Sequence, residues 1–139
     1  MQNHFMQNQS LNRQSAARRM SLANGGQAPI LLADIHAPAP VRGYDGALLG
    51  LGRALALDGA SGQALCLLVG RSITARRLRP IPWAALRYDQ RLRAFLADVN
   101  AELFLQGPCW PGGVGARAQA CVRRAHLYYD VHHERQAED

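Results

Sequence analysis

Residues 49–57, within a segment that begins at Leu48, alternate in a way that predicts a β-strand with two unlike faces. Four leucines share one face with Arg53, whereas the opposite face carries only glycine and alanine. Successive side chains of a strand point to opposite faces, so this period of two favours strand over helix. Gly50 and Gly52 indicate a bulge or sharp bend, which a small barrel needs.

Neighbouring segments also have patterns typical of strands, and turn residues separate them. Residues 64–69 are continuously apolar and predict a central strand that is buried on both faces. Asp45-Gly46 and residues 58–62 are typical of hairpin turns. Further strands are predicted near residues 39–44, 78–82, 86–88 and 94–99. Six short strands with hairpin turns predict a mainly β fold, a small antiparallel β-barrel or half-barrel.

The stretch 79–99 holds the hairpin around which this prediction is organised. Pro80 and Pro82 favour extended backbone before them, so residues 83–86 are expected to make one helical turn at most. Trp83 is interpreted as a core anchor rather than a stacking platform. Apolar side chains from both halves of the hairpin are predicted to meet in one cluster: Trp83, Leu86, Tyr88, Phe95, Leu96 and Val99.

A helical period replaces the strand period towards the C-terminus. Asn100 is a favourable N-cap for a short helix over residues 101–105, and an amphipathic helix is predicted near residues 114–129. Trp110 is expected to pin the linker between them to the barrel. Met20 is a candidate alternative start, which the intact mass of the native protein would test. The predicted organisation is a disordered tail (1–27), the barrel domain (28–108), a Trp-Pro linker with the helix (109–131) and a disordered tail (132–139).

The length of 139 residues supports one domain, and the charge is concentrated in one part of it. All 16 basic residues are arginine, which is typical of GC-rich coding. Residues 71–93 carry a net charge of +6, equal to that of the whole chain. The alternative to a binding surface is a solvated rim produced by codon bias, since arginines form a patch only where they converge. The candidate basic interaction surface comprises Arg71, Arg76, Arg77, Arg79, Arg91 and Arg93.

Known catalytic motifs are absent from the sequence, so we predict no enzyme activity, no cofactor and no metal site. His126, His132 and His133 lie near Asp130 and Glu134, but their spacing matches no known ligand set. Three cysteines without a CxxC pair disfavour a disulfide framework, and Cys66 and Cys121 are predicted to be buried structural residues. Without an apolar leader or a membrane-length apolar run, the predicted location is the cytoplasm.

Two motifs resemble a known family. Residues 40–46 read PVRGYDG and residues 80–89 read PIPWAALRYD. With the apolar strand between them, they resemble the PRC-barrel domain, over about residues 30–108. This module is shared by the cytoplasmic part of the photosynthetic reaction-centre H subunit and the ribosome maturation factor RimM. Trp110-Pro111 and Tyr128-Tyr129 resemble the C-terminal extension of stand-alone bacterial members. The family-motif core on this chain is Pro80, Pro82, Trp83, Leu86 and Tyr88.

The resemblance implies a non-catalytic module and leaves two kinds of partner open. The reaction-centre subunit implies a protein partner at the cytoplasmic face of a membrane complex, and RimM implies an RNA or ribosome-assembly role. The protein partner is favoured because the chain has no second nucleic-acid-binding domain and no interleaving of arginines with aromatic residues. Homo-oligomerisation stays open. Residues 69–77 depart from the glycine-rich loop of the family, with one glycine and three arginines.

Overall fold

The computed structural model describes the backbone of residues 28–138 and the side chains of residues 28–130. The predictions for residues 1–27 and for Met20 therefore lie outside the described residues. The strands are β1 (Ile30–Arg42), β2 (Leu48–Asp58), β3 (Ala64–Gly70), β4 (Arg79–Pro82), β5 (Leu86–Asp89) and β6 (Ala94–Ala97). A 3-10 turn spans Trp83–Ala85, and the helices are α1 (Ala101–Gln106) and α2 (Ala116–Glu138).

The six strands form one curled sheet in the order β4-β3-β2-β1-β6-β5. This confirms the mainly β fold and the half-barrel, whereas β4 and β5 remain separate edges and do not close a barrel. All neighbours are antiparallel except β1 and β6, which pair in parallel at Val41 with Phe95 and at Arg42 with Leu96. The wholly antiparallel prediction is wrong at this pair. The 3-10 turn carries the chain from one sheet edge to the other, so β6 arrives beside β1 in the same direction.

Strand β1 begins nine residues earlier than residue 39, where the prediction placed it. Its first half pairs with the far end of β2, from Ile30 opposite Asp58 to Asp34 opposite Ala54. The register then shifts before Ala39, across a segment that contains Pro38. Proline has no N–H to give to a ladder, so the strand bends there instead of ending.

Strand β3 separates two hydrophobic cores, which confirms its predicted burial on both faces. Leu67 and Val69 lie in the core inside the curled sheet, together with Val41, Ile81 and Phe104. Cys66 lies in a second core beneath helix α2. Adjacent β2 divides in the same way, because Leu49 and Leu55 face the first core and Ala56 faces the second. The small face of β2 therefore lets the helix pack closely against the sheet.

The bend in β2 depends on Gly50. A side chain at this position would meet the carbonyl oxygen of Gly70 on the neighbouring strand. The register between β2 and β3 shifts nearby, between Gly52 and Ala54, as the glycines predicted. The close approach of two backbones at this point is open only to a residue without a Cβ.

The two predicted helices are present, with different ends for the second. The side chain of Asn100 accepts a hydrogen bond from the Leu103 N–H at 2.8 Å, which confirms it as the N-cap of α1. Helix α2 begins two residues later than predicted, and its backbone continues to Glu138, through most of the segment predicted as a disordered tail. The backbone N–H of Trp110 donates to the Leu78 carbonyl at 2.7 Å, just before β4, and the Trp110 side chain packs against the second core, so the linker is held to the sheet as expected.

Candidate functional site

Four of the six candidate arginines converge on one cavity. The loop between β3 and β4, the start of β4 and helix α1 enclose a volume of about 280 Å³. Its floor includes Phe104, which is buried, and Leu105, which is half exposed. No acidic side chain lines it. The cavity is lined by Val69, Arg71, Ala75, Arg76, Arg77, Arg79, Phe104 and Leu105. We call this site the arginine cavity.

The loop that carries these arginines is held at its middle and at its end. The guanidinium of Arg53 on β2 donates a hydrogen bond to the carbonyl of Ala75. The carbonyl of Leu78 accepts from the Trp110 N–H. These contacts fix the backbone that presents Arg76 and Arg77, so the two guanidinium groups project from an anchored loop. The anchor Arg53 was missed from the sequence, although its signal was a lone charge in an apolar strand.

Arg79 differs from the other three because its side chain is also part of the fold. It is half-buried, and its guanidinium donates to the carbonyl of Gly107 at 2.8 Å, just after helix α1. The Tyr128 hydroxyl donates to the Leu103 carbonyl at 2.6 Å on the same helix. Burial raises the pKa of Tyr128, and the Arg79 charge acts in the opposite direction. Arg79 therefore joins β4 to the end of α1 as well as lining the arginine cavity.

Arg91 and Arg93 lie elsewhere, on the turn between β5 and β6. That turn belongs to the edge of the sheet opposite β4, and neither residue lines the arginine cavity. Leu92 between them is 60% exposed, and Arg93 has a positive φ of 50°. The six candidate arginines thus form two separate groups, where the sequence suggested one local surface.

The residues of the family-motif core divide between the interior and the surface. Pro80 and Pro82 are buried and Leu86 is half-buried, whereas Trp83 and Tyr88 are 39% and 50% exposed. Both aromatic rings meet Phe95 edge to face, with centroids 5.9 Å and 5.2 Å apart. The predicted cluster forms in part around Phe95, because Trp83 and Tyr88 contact its ring and Leu86 and Val99 belong to the adjoining core. Leu96 lies outside this core and lines a groove beside β5. Trp83 is not a buried core anchor, because the 3-10 turn places it at the open side of the half-barrel.

An open groove of about 570 Å³ runs along strand β5. Its lining includes Ala84 and Leu92 at its two ends and Arg42, Arg87 and Asp98 as charged groups. Tyr44, 59% exposed, contributes from the turn between β1 and β2, and Asn100 donates to its hydroxyl at 3.4 Å. We call this site the β5 groove. No sequence motif pointed to it, because it joins residues from three separate segments.

Two of the three cysteines and one histidine of the described region are held within the fold. Cys66 and Cys121 are buried, as predicted, and burial raises the pKa of the Cys66 thiol to about 12. The ring of His126 is engaged with the Val122 carbonyl, with Nδ1 and the oxygen 2.8 Å apart. No group of three metal-ligating side chains occurs among the residues with described side chains, which exclude His132 and His133.

Comparison with known proteins does not assign the chain to a family. No protein-family model matches the chain, and no curated protein matches it. Among the described residues, no helix is both long and apolar enough to cross a bilayer. The resemblance to PRC-barrel proteins therefore stays a hypothesis that rests on the two sequence motifs and on the half-barrel.

Proposed function

We propose that this chain is a non-catalytic interaction module that binds an acidic surface of a protein partner through the arginine cavity. The observation that carries the proposal is the convergence of four arginines on one concave site that no acidic side chain lines. Concave surfaces of a single charge sign raise the local concentration of oppositely charged partners. The PRC-barrel resemblance supports a place in the cytoplasm, at the inner face of a membrane complex.

A protein surface suits the arginine cavity better than a nucleic acid does. Single-stranded nucleic acids bind where exposed aromatic rings stack on bases beside basic groups. The one aromatic residue that lines this cavity is Phe104, and it is 2% exposed. The exposed apolar side chains of this region are aliphatic, Leu105 in the lining and Ile73 on the loop, at 51% and 65% exposure. Arginine beside exposed aliphatic groups is suited to acidic and apolar side chains of another protein.

The second candidate function, RNA binding, is favoured by the other group of arginines. Arg87, Arg91 and Arg93 lie on the same hairpin as Tyr88, and Tyr88 and Trp83 are both exposed. Exposed rings beside arginines are the combination that stacks on unpaired bases. An RNA or ribosome-assembly role would therefore use the β5–β6 hairpin, and a protein partner would use the arginine cavity.

Two double variants with the same change of charge separate these functions. Arg76→Ala/Arg77→Ala removes two of the four arginines that line the arginine cavity, and Arg91→Ala/Arg93→Ala removes two charges from the opposite edge. Tagged wild-type and variant chains are used to recover partners from the native lysate, with and without nuclease, over a series of salt concentrations. We expect a defined protein set that survives nuclease and is lost only with the Arg76→Ala/Arg77→Ala variant.

The same experiment identifies the alternative. Recovery of RNA or ribosomal proteins that disappears with nuclease, and that Arg91→Ala/Arg93→Ala abolishes, would replace the protein-binding proposal with RNA binding. Equal loss with both variants would mean that only net charge matters, as expected for non-specific attraction. Circular dichroism of each variant verifies that the fold is retained.

A further inference from the structure

Strand β5 forms an open edge of the sheet. It pairs with β6 on one side, and within the described residues no strand pairs with its other side. Arg87 and Tyr88 in its middle are exposed. An unpaired edge presents a row of N–H and C=O groups that can extend a sheet. Proline is one of the devices that normally block such an edge, and β5 contains none.

The pairing with β6 determines which backbone groups of β5 face outward. The Asp98 N–H donates to the Ala85 carbonyl at 3.0 Å, which makes Ala85 and Asp98 a hydrogen-bonded pair. Such pairs alternate along an antiparallel ladder, so Arg87 and Asp89 also direct their backbone groups towards β6. The N–H and C=O groups of Tyr88 and the C=O group of Leu86 therefore point away from the sheet, whereas the Leu86 N–H donates to the Trp83 carbonyl in the 3-10 turn.

We propose that a second copy of this chain pairs with β5 through these groups, antiparallel, with Tyr88 opposite Tyr88. Charge selects this register. It places Arg87 of each copy opposite Asp89 of the other, whereas the two adjacent registers with the same outward groups place Arg87 opposite Arg87 or Asp89 opposite Asp89. Opposite charges across a strand pair are favourable and like charges are unfavourable. The Arg-Tyr-Asp order of β5 is thus complementary to itself.

This arrangement also covers the exposed side chains of the edge. The two-fold axis lies perpendicular to the sheet, so both Tyr88 rings lie on the same face and contact each other. Leu92, on the turn after β5, also lines the β5 groove. Leu92 is 60% exposed in the single chain, and the groove offers Leu96 and Ala97 as apolar lining.

The first test blocks the outward N–H without touching the ladder to β6. Tyr88→Pro removes the N–H that the second copy needs, and proline is tolerated where the N–H faces solvent. Tyr88→Val, the matched control, removes the same ring and keeps the N–H. In sedimentation equilibrium of the full chain, we expect wild type and Tyr88→Val to dimerise as concentration rises and Tyr88→Pro to stay monomeric. A monomeric wild type, or a Tyr88→Pro that dimerises like it, would overturn the proposal.

The second test measures the register and does not depend on the folding of the proline variant. Chains with Arg87→Cys and chains with Asp89→Cys, each with Cys109→Ser, are oxidised separately and as a mixture. Directly opposite residues of a non-hydrogen-bonded pair lie about 4.5 Å apart between Cα atoms, within disulfide range. Two residues 87 lie on the diagonal, about 7–8 Å apart. We expect disulfide-linked dimers only in the mixture. A disulfide-linked dimer of either single variant, or no linked dimer in the mixture, would contradict the register.

Discussion

The two edge strands of the half-barrel, β4 and β5, differ in the backbone N–H groups that they present at the edge. On β4, Ile81 lies opposite Leu67 of β3, and the residues on either side of it are Pro80 and Pro82. Both outward-facing positions of this edge therefore lack an N–H, and helix α2 packs against the strand. On β5, the outward positions are Leu86 and Tyr88; the Leu86 N–H donates to the Trp83 carbonyl in the 3-10 turn, and Tyr88 presents its N–H at the edge. One edge is closed by sequence and by packing, and the other is open.

The closed edge therefore carries residues that stabilise the fold, and the open edge carries residues that can contact a partner. The Pro80-Ile81-Pro82 part of the family-like motif lies on the closed edge, and its Leu86–Asp89 part lies on the open edge. The 3-10 turn between them connects the two edges. A single contiguous motif therefore contributes to stability with its first half and to surface chemistry with its second.

The largest difference between the edges is expected from truncation in the core. Ile81 on β4 is fully buried, so Ile81→Ala should lower the free energy of unfolding by about 2–5 kcal/mol through lost burial and a cavity. Arg87→Ala on exposed β5 should change it by less than about 0.5 kcal/mol. Urea denaturation followed by circular dichroism measures both. Similar costs at the two positions would remove the distinction between the edges.

Arg79→Ala tests whether one arginine of the candidate surface belongs to the closed edge. The substitution removes a hydrogen bond from a charged group to the Gly107 carbonyl, so we expect a loss of about 1.5–3 kcal/mol. Arg76→Ala, on the exposed loop of the same cavity, is the control and should cost less than about 0.5 kcal/mol. The urea midpoints of the two variants give the comparison, and equal midpoints would assign Arg79 to the surface only.

Alkaline pH should weaken the closed side of the sheet. Burial raises the pKa of Cys66 from 9.0 to about 12, so the unfolded thiol ionises first and the native state loses stability as pH rises between these values. At one pH unit above the unfolded pKa the loss is about 1.4 kcal/mol, after which it grows until the folded thiol ionises. Tyr129 acts in the same direction, because burial raises its pKa too.

The Cys66→Ala variant isolates this contribution. Its unfolding free energy, measured from pH 8 upward, should fall less steeply than that of wild type. Parallel pH profiles for the two proteins would show that the thiol contributes nothing to the alkaline loss. Alkylation under native conditions gives an independent check, since Cys109 is only half-buried and should react before Cys66.

The smallest effect is expected at the open side. Trp83 is 39% exposed and contacts Phe95 edge to face, so Trp83→Ala should cost about 0.5–1.5 kcal/mol for the aromatic pair, with little cavity formation. A core tryptophan would cost about 3–5 kcal/mol. Thermal unfolding of Trp83→Ala beside Trp83→Phe distinguishes ring contact from burial. A loss in the core range would show that Trp83 anchors the fold after all.

Local patterns were sufficient for most of the elements. The period of two in β2, the apolar run of β3 and the Asn100 cap each depend on neighbours in sequence, and the structure confirms them. The first half of β1 and the parallel pairing with β6 were missed, because both depend on partners distant in the chain. The sequence pattern of a strand does not identify such partners, because the pattern is the same whichever strand it pairs with.

The sequence predicted which arginines belong to the candidate site, but it did not predict that they separate into two groups. Charge counting identified the arginines, and the topology divides them between opposite edges of the sheet. Trp83 was assigned to the interior on residue type, whereas its exposure follows from the open side of the half-barrel. The β5 groove had no sequence signal, because Tyr44, Ala84 and Leu96 converge only after the sheet has curled.

The parallel contact between β1 and β6 has a consequence for the order of folding. Strands β1 to β4 form a meander of neighbours, and β5 with β6 forms a separate hairpin, so each unit can assemble from local contacts. Joining them requires Val41 to find Phe95 across the intervening chain, which is the type of distant contact that slows folding. We therefore expect the meander to form first and the docking of the hairpin to set the rate. Mutations at Val41 and Phe95 should then slow refolding more than mutations within β2 and β3.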